Sequence, residues 1–301
     1  MLTQTKVWIR AARVRTLPLS VSGIIVGNAL CVSNKEFSWM LFVLMLITAM
    51  SFQIISNFAN DYGDGVKGTD NDQRIGPERV LQAGLLSRKT LKTGILISSS
   101  IALILATVLI IFAFGKDFWV YVLIFFGLSI VSIWSAISYT VGTGAYGYRG
   151  LGDLFVLLFF GGLSVLGSYF IQLKTLHATA FLLALVIGLL SVGVLNLNNM
   201  RDLENDGAVG KRTFAVLLGT NNAKFYHVLL IGTAILLLLK VFYFSALQYF
   251  WLPILIVFPL SFHLWVVIKN KLPKNLDPEL KKVSLSTFLL SWLIFITLYL
   301  G

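Results

Sequence analysis

The chain has 301 residues, of which 57% are hydrophobic and only 12% charged, and its formal net charge is +11. That is more apolar surface than one soluble core can hide, so the composition excludes a soluble globular protein and indicates an integral membrane protein. In such a chain the positive charge reports loop placement rather than nucleic-acid binding, and the single Cys31 excludes an internal disulfide or a Cys-based zinc site.

Apolar runs of about 20 residues can each cross about 30 Å of hydrocarbon as a helix. The sequence predicts nine, at 16–34, 38–59, 91–115, 118–139, 151–173, 178–199, 223–245, 248–269 and 283–300. Lys6, Arg10, Arg13 and Arg15 precede the first run as in a signal peptide, but the many later runs and the lack of a small-x-small cleavage site make that run a span. With a cytoplasmic N-terminus, all but Lys35, Lys116, Lys174 and Lys240 of the 24 basic residues fall inside, as the positive-inside rule requires. A miscounted internal span would invert every later loop and spoil that bias. All but Glu36 and Asp117 of the 13 acids lie on the same side. The rule is silent about acids, so their one-sidedness asks for a function.

The loops after the second and sixth runs, about 60–90 and 200–222, are where that function concentrates. The first brings Asn57, Asn60, Asp61, Asp64, Asp70 and Asp72; the second brings Asn196, Asn198, Asn199, Asp202, Glu204 and Asp206. Asn60 to Asp64 and Asn198 to Asp202 share one spacing, a short internal repeat of the kind that builds membrane sites between two halves. On a helix, residues four apart share a face at about 5–6 Å, so Asn60 with Asp64, and Asp202 with Asp206, each form an oxygen pair. Mg²⁺ takes oxygen ligands, keeps several waters and bridges carboxylates to phosphate. Lys67, Arg74 and Arg79 in the first loop, and Arg201, Lys211 and Arg212 in the second, are suited to phosphate oxygens. Metal and cations together would neutralise a departing diphosphate and leave a carbocation on the group it carried, which in this setting is a long lipid.

Plainer readings stand beside these. Asp70, Asp72 and Glu78 fit a solvated helix boundary equally well. Asn57, Asn60, Asn198 and Asn199 fit hydrogen bonds between helices, Asp153 fits a helix N-cap, and Tyr139, Tyr146 and Tyr148 fit an interfacial aromatic belt. His177, His227 and His263 have no metal partner at useful spacing and receive no role. An ion-coupled transporter also carries acids and internal repeats, but near the middle of the membrane rather than at one surface.

Asn60-Asp61-Tyr62-Gly63-Asp64 and Asp202-Leu203-Glu204-Asn205-Asp206 resemble the N-D-x-x-D and D-x-x-x-D motifs of the intramembrane prenyltransferases of the UbiA superfamily. That resemblance implies an all-α integral membrane protein, one domain over 1–301, with nine transmembrane helices around a central cavity. NDYGDGVKGTD, RIGPERVLQAGLLS, YTVGTGAYGYRGLGD and LNLNNMRDLENDGAVGKRT are similar to the branch that prenylates 1,4-dihydroxy-2-naphthoate in menaquinone synthesis. The resemblance implies Mg²⁺ on Asn60, Asp61, Asp64, Asp70, Asn198, Asp202 and Asp206, and a polyprenyl diphosphate on Lys67, Arg74, Arg79, Arg201 and Lys211. Asp64, Asp202, Asp206, Lys67 and Arg201 are the expected catalytic residues, and Asn57, Tyr139, Tyr146 and Asp153 the expected acceptor pocket. It further implies a bacterial cytoplasmic (inner) membrane location with the site on the cytoplasmic side. 4-Hydroxybenzoate or haem are the alternative acceptors. Where the wider superfamily has a third acid in the first motif this chain has Gly68, so Asp61 or Asp70 completes the metal shell. The basic pair that some members carry after the fourth-helix tyrosine is also missing, with Tyr139, Tyr146 and Arg149 as its substitutes.

Overall fold

A computed structural model describes residues 3–243, 245 and 247–301, and among them the regular structure is all helical. A short amphipathic helix, α1 (Gln4–Ala12), leads through a left-handed Arg13 into α2 (Leu17–Ala29). The long helices follow: α3 (Trp39–Lys67), α4 (Arg88–Phe114), α5 (Trp119–Ser138), α6 (Gly152–Leu173) and α7 (Ala178–Arg201). A single turn and a half, α8 (Leu203–Ala208), precedes α9 (Phe214–Tyr243), α10 (Trp251–Lys269) and α11 (Leu276–Leu300).

Eight of these, α3 to α7 and α9 to α11, are long and apolar enough to cross a bilayer. The first predicted span differs. Its 13-residue helix α2 rises about 20 Å at 1.5 Å per residue, short of the hydrocarbon thickness. Asn28 ends it, accepting at Oδ1 from the buried Gln172 amide at 2.8 Å, while Gln172 also donates to the Ser38 carbonyl at 3.0 Å. Residues 30–37 form turns rather than more helix. The compensation for its shortness is burial, since α2 packs against α3, α6, α7 and α11. A Cβ on Gly27 would stand 2.3 Å from the Val165 carbonyl oxygen, and one on Gly23 would stand 2.7 Å from that of Phe160. The small residues of LPLSVSGIIVGNA thus let α2 press against α6, as small residues do between membrane helices.

Outside α2 the apolar surface divides by position. Within the most apolar window of α5 only 6% is buried, against 56% for α7, which lies between α6, α9 and α11. Trp119, Leu123, Ile130 and Trp134 of α5 are exposed, as lipid-facing side chains are in a protein whose solvent is hydrocarbon. The predicted boundaries shift at the functional ends: α3 continues two turns past residue 59 to Lys67, and α9 starts at Phe214 and breaks at Gly219, where φ is 74°.

Candidate active site

The C-terminal ends of α3 and α7 meet at one end of the bundle. Asp61, Asp64, Asp70, Asp202 and Asp206 are all buried there, so Asp70 is no solvated boundary residue, whereas Asp72 and Glu78 are exposed. Three contacts tie the two halves together. Arg74 Nε lies 3.3 Å from Asp70 and 3.6 Å from Asp202. Lys211 Nζ lies 3.6 Å from Asp206 and 4.0 Å from Asp64. Asn205 donates from Nδ2 to the Thr69 carbonyl at 3.0 Å.

The two acidic ends are built differently. In α3 the helix runs unbroken through Asn60, Asp61 and Asp64, and Gly68, at φ 75°, turns the chain out so that Asp70 folds back over the end. Arg79 then reaches all three acids, at 3.1 Å from Asp61, 3.4 Å from Asp64 and 3.1 Å from Asp70. Arg13 joins Asp61 from the α1–α2 junction. Burial, with Arg79 and Arg74 close by, holds the Arg13 guanidinium well below its ordinary pKa. In the second end the helix breaks at Asp202, yet the Asp206 N–H still donates to the Asp202 carbonyl at 2.8 Å, so the backbones of the two residues stay one helical turn apart. Arg201 grips Asp202 with Nε at 3.0 Å and Nη2 at 2.7 Å, donates to Asn198 Oδ1 at 2.9 Å and joins Asp277 at the start of α11.

Burial raises the pKa of both Asp70 and Asp206, that of Asp206 to about 6, with the nearby acids adding to the shift. For Asp202 burial acts in the same direction, but the Arg201 hydrogen bonds and charge outweigh it and hold the carboxyl below its usual range. Oδ2 of Asp70 and Oδ2 of Asp206 are buried without a hydrogen-bond partner, while Oδ1 of Asp70 has only its ion pairs with Arg74 and Arg79. Among the described residues no three His, Cys, Asp or Glu side chains already converge on one point as a formed metal centre. The donor set is nonetheless all oxygen, with buried lone pairs unused, which is the chemistry a hard divalent cation selects.

A cavity of about 1240 Å³ opens beneath this cluster. Asn60, Asp61, Asp64, Arg74, Arg79, Asn198, Arg201 and Lys211 line its polar mouth; Phe52, Phe125, Phe155, Phe159 and Phe160 line its apolar depth. Of the predicted acceptor residues, Tyr139 and Tyr146 line the wall with their rings in edge contact at 5.4 Å, and Tyr146 donates to the Ser135 carbonyl at 2.8 Å. Asn57 also lines it, but its amide is committed to the Ala12 carbonyl and to Thr16 Oγ1, so it braces the α1–α2 junction. Asp153 points elsewhere: it is outside the lining and is hydrogen-bonded to Tyr226 of α9. Lys67 lies off the lining too, 3.9 Å above the Tyr148 ring.

Sequence reasoning missed two residues here. Tyr148 is no belt aromatic; it donates to Asp64 Oδ1 at 2.8 Å and pairs with Thr69 at 2.5 Å, while its ring carries the Lys67 ammonium. In the sequence Arg13 reads only as a topological charge. Its neighbour-independent signal is conformational, a non-glycine residue at φ 48° whose side chain is carried inward.

The fold and the sequence both have known relatives. A chain from Archaeoglobus fulgidus, solved as a UbiA homolog bound to DMAPP and Mg²⁺, superposes with a TM-score of 0.67 over 96% of this chain and 99% of its own, at 15% identity. A protein of Haemophilus influenzae named 1,4-dihydroxy-2-naphthoate octaprenyltransferase is 38% identical over 98% of this chain and 96% of its own. The Escherichia coli protein of the same name is 44% identical over 79% of this chain and 77% of its own. The sequence profile of the UbiA prenyltransferase family matches residues 20–296, which take in both acidic helix ends and most of the cavity lining, and the chain belongs to that family.

Proposed function

We propose that this protein transfers a polyprenyl chain from polyprenyl diphosphate to 1,4-dihydroxy-2-naphthoate, releasing diphosphate and CO₂ and forming demethylmenaquinol, the reduced form of demethylmenaquinone. The observation that carries the reading is the meeting of two acid-rich helix ends, with Arg74, Arg79, Arg201 and Lys211 among them, over an apolar cavity large enough for a lipid tail. The names of the Haemophilus and Escherichia relatives support the naphthoate as acceptor.

Asn60, Asp64 and Asp70 on one side, and Asn198, Asp202 and Asp206 on the other, would hold Mg²⁺. Both acids are engaged by arginines at Oδ1, Asp70 by Arg74 and Arg79 and Asp61 by Arg13 and Arg79; the buried, partnerless Oδ2 of Asp70 favours it as the acid that completes the shell. Bound Mg²⁺ supplies charge neutralisation at the diphosphate oxygens. Arg74, Arg79, Arg201 and Lys211 bind the remaining phosphate charge, and Lys67, above Tyr148, meets the donor from the rim. Such positioned cations stabilise the negative charge that grows on the leaving group as the allylic C–O bond breaks. Tyr139, Tyr146 and Phe155 line the cavity, and an exposed ring face there would attract the allylic cation. The ring carbon bearing the carboxyl group attacks that cation; the carboxyl leaves as CO₂ and its electron pair restores the aromatic ring.

The site belongs to a bacterial cytoplasmic membrane, with its mouth on the cytoplasmic side. The test is direct. Purified protein with Mg²⁺, a polyprenyl diphosphate and dihydroxynaphthoate releases pyrophosphate and CO₂ in equal amounts. A panel replacing the acceptor with 4-hydroxybenzoate or haem yields little or no product; pyrophosphate without CO₂, or a preference for another acceptor, overturns the assignment.

A further inference from the structure

Away from the cavity, α9, α10 and α11 share a buried polar chain. His227 Nε2 lies 2.8 Å from His263 Nε2, His263 Nδ1 lies 2.6 Å from Glu279 Oε2, and Lys282 Nζ lies 2.5 Å from Glu279 Oε1. His227, His263 and Glu279 are buried, while the Lys282 side chain is 53% exposed. The chemistry fixes the proton pattern. A carboxylate held by an ammonium accepts, so His263 donates from Nδ1 and is left with an acceptor at Nε2; His227 must then donate from Nε2. With both imidazoles neutral, the Glu279 and Lys282 charges balance, and only His227 Nδ1 is left without a partner.

Apolar side chains would join three helices at least as firmly, because burying a carboxylate and two imidazoles costs free energy that packed hydrocarbon does not. What a directional chain adds is register. Its location gives that register a use. Glu279 sits on the first turn of α11, two residues from Asp277, and Asp277 holds the Arg201 guanidinium that grips Asp202. Asp277, Pro278 and Leu280 line the cavity, whereas Glu279 points away from it into the chain of histidines.

We infer that His227, His263 and Glu279 are positioning residues, a tether that sets the first turn of α11 so that Asp277 holds Arg201 on the second acidic end. The inference rests on the diphosphate reading of that end. It is tested with the full-length protein in detergent, titrated calorimetrically with pyrophosphate and Mg²⁺. Glu279→Ala and Asp277→Ala each weaken binding by roughly tenfold, and the double variant is no weaker than either alone, the signature of residues acting through one unit. Glu279→Gln, which keeps an acceptor for His263, recovers most of the affinity. If Glu279→Ala does not fold, His227→Phe serves instead: it weakens pyrophosphate binding in the wild-type background and not in Asp277→Ala. Additive losses, or unchanged binding in the tether variants while wild type binds, overturn the tether alone. A wild-type protein that binds no pyrophosphate overturns the functional reading and the tether with it.

Discussion

The ends of α3 and α7 carry the same spacing of amide and acid but are stabilised in opposite ways. At the end of α3 the acids ride an unbroken helix and their cations arrive from elsewhere, Arg13 from the α1–α2 junction and Arg79 from the following loop. At the end of α7 the helix breaks, and the main cation, Arg201, is the residue next to the acid it holds. One end is rigid in backbone and assembled in charge; the other is local in charge and jointed in backbone. The first therefore depends on the loop fold, and the second on whatever steadies the joint, which is Asp277 on α11.

The largest expected effect tests what the two ends have in common. Asp64→Ala and Asp202→Ala should each lower turnover by about a thousandfold, the scale of losing a preorganised electrostatic group, with the helical circular dichroism retained. If either variant keeps full activity, that end is not part of the site.

The next substitution separates the ends. Arg79 touches Asp61, Asp64 and Asp70, so Arg79→Gln leaves three buried acids short of a cation. It should lose about a hundredfold in kcat/KM and several degrees of melting temperature, because three buried carboxylates lose a shared cation at once and keep one each, Arg13, Lys211 and Arg74. Arg201→Gln should lose activity with a smaller thermal penalty, since Arg74 and Asn198 remain beside Asp202 and the amide. Equal melting temperatures would erase the distinction drawn between assembled and local charge.

How much of this was legible beforehand follows the physics of each element. The long spans were, because hydrocarbon imposes a length that an apolar run reveals. The shortness of α2 was not, since its run of apolar residues continues past Ala29, where the helix stops beside an Asn28–Gln172 contact made across 144 residues. The two acid-bearing helix ends, with Asn60 and Asp64 on one and Asp202 and Asp206 on the other, were legible as spacing. Tyr148 and the His227–His263–Glu279 chain were not, because a tyrosine or a histidine in an apolar sequence reads as packing until the fold places its partner beside it. Asp153 shows the converse: its place beside GYRGLG suggested the site, and Tyr226 takes it instead.

Tenfold effects belong to the rim. Lys67→Ala should raise the KM for the diphosphate donor by roughly tenfold and leave that for the acceptor unchanged, as expected for one exposed point charge. Tyr148→Phe removes the hydrogen bond to Asp64 while keeping the ring beneath Lys67. A lost hydrogen bond to a charged group is worth about 1.5–3 kcal/mol, so this variant should fall at least about tenfold in kcat with the donor KM nearly constant. If both variants change the donor KM alike, Tyr148 acts only as the platform for Lys67.

The smallest effect concerns stability and carries a sign. Burial lifts the Asp206 carboxyl to about 6, well above its ordinary value. A carboxyl raised in the folded state binds its proton more tightly there than in the unfolded chain, so its contribution is full below the ordinary carboxylate range and is lost as pH rises through 6. At neutral pH Asp206 is thus charged against the interest of the fold, with Lys211 as partial compensation. Asp206→Asn should raise the melting temperature of the ligand-free protein at pH 7.5, by roughly 2–4 °C for each kcal/mol regained, and do little at pH 4. The same variant should lower turnover, because an amide oxygen brings no charge to a metal. A carboxylate whose removal stabilises the protein and disables it is held for chemistry rather than for folding.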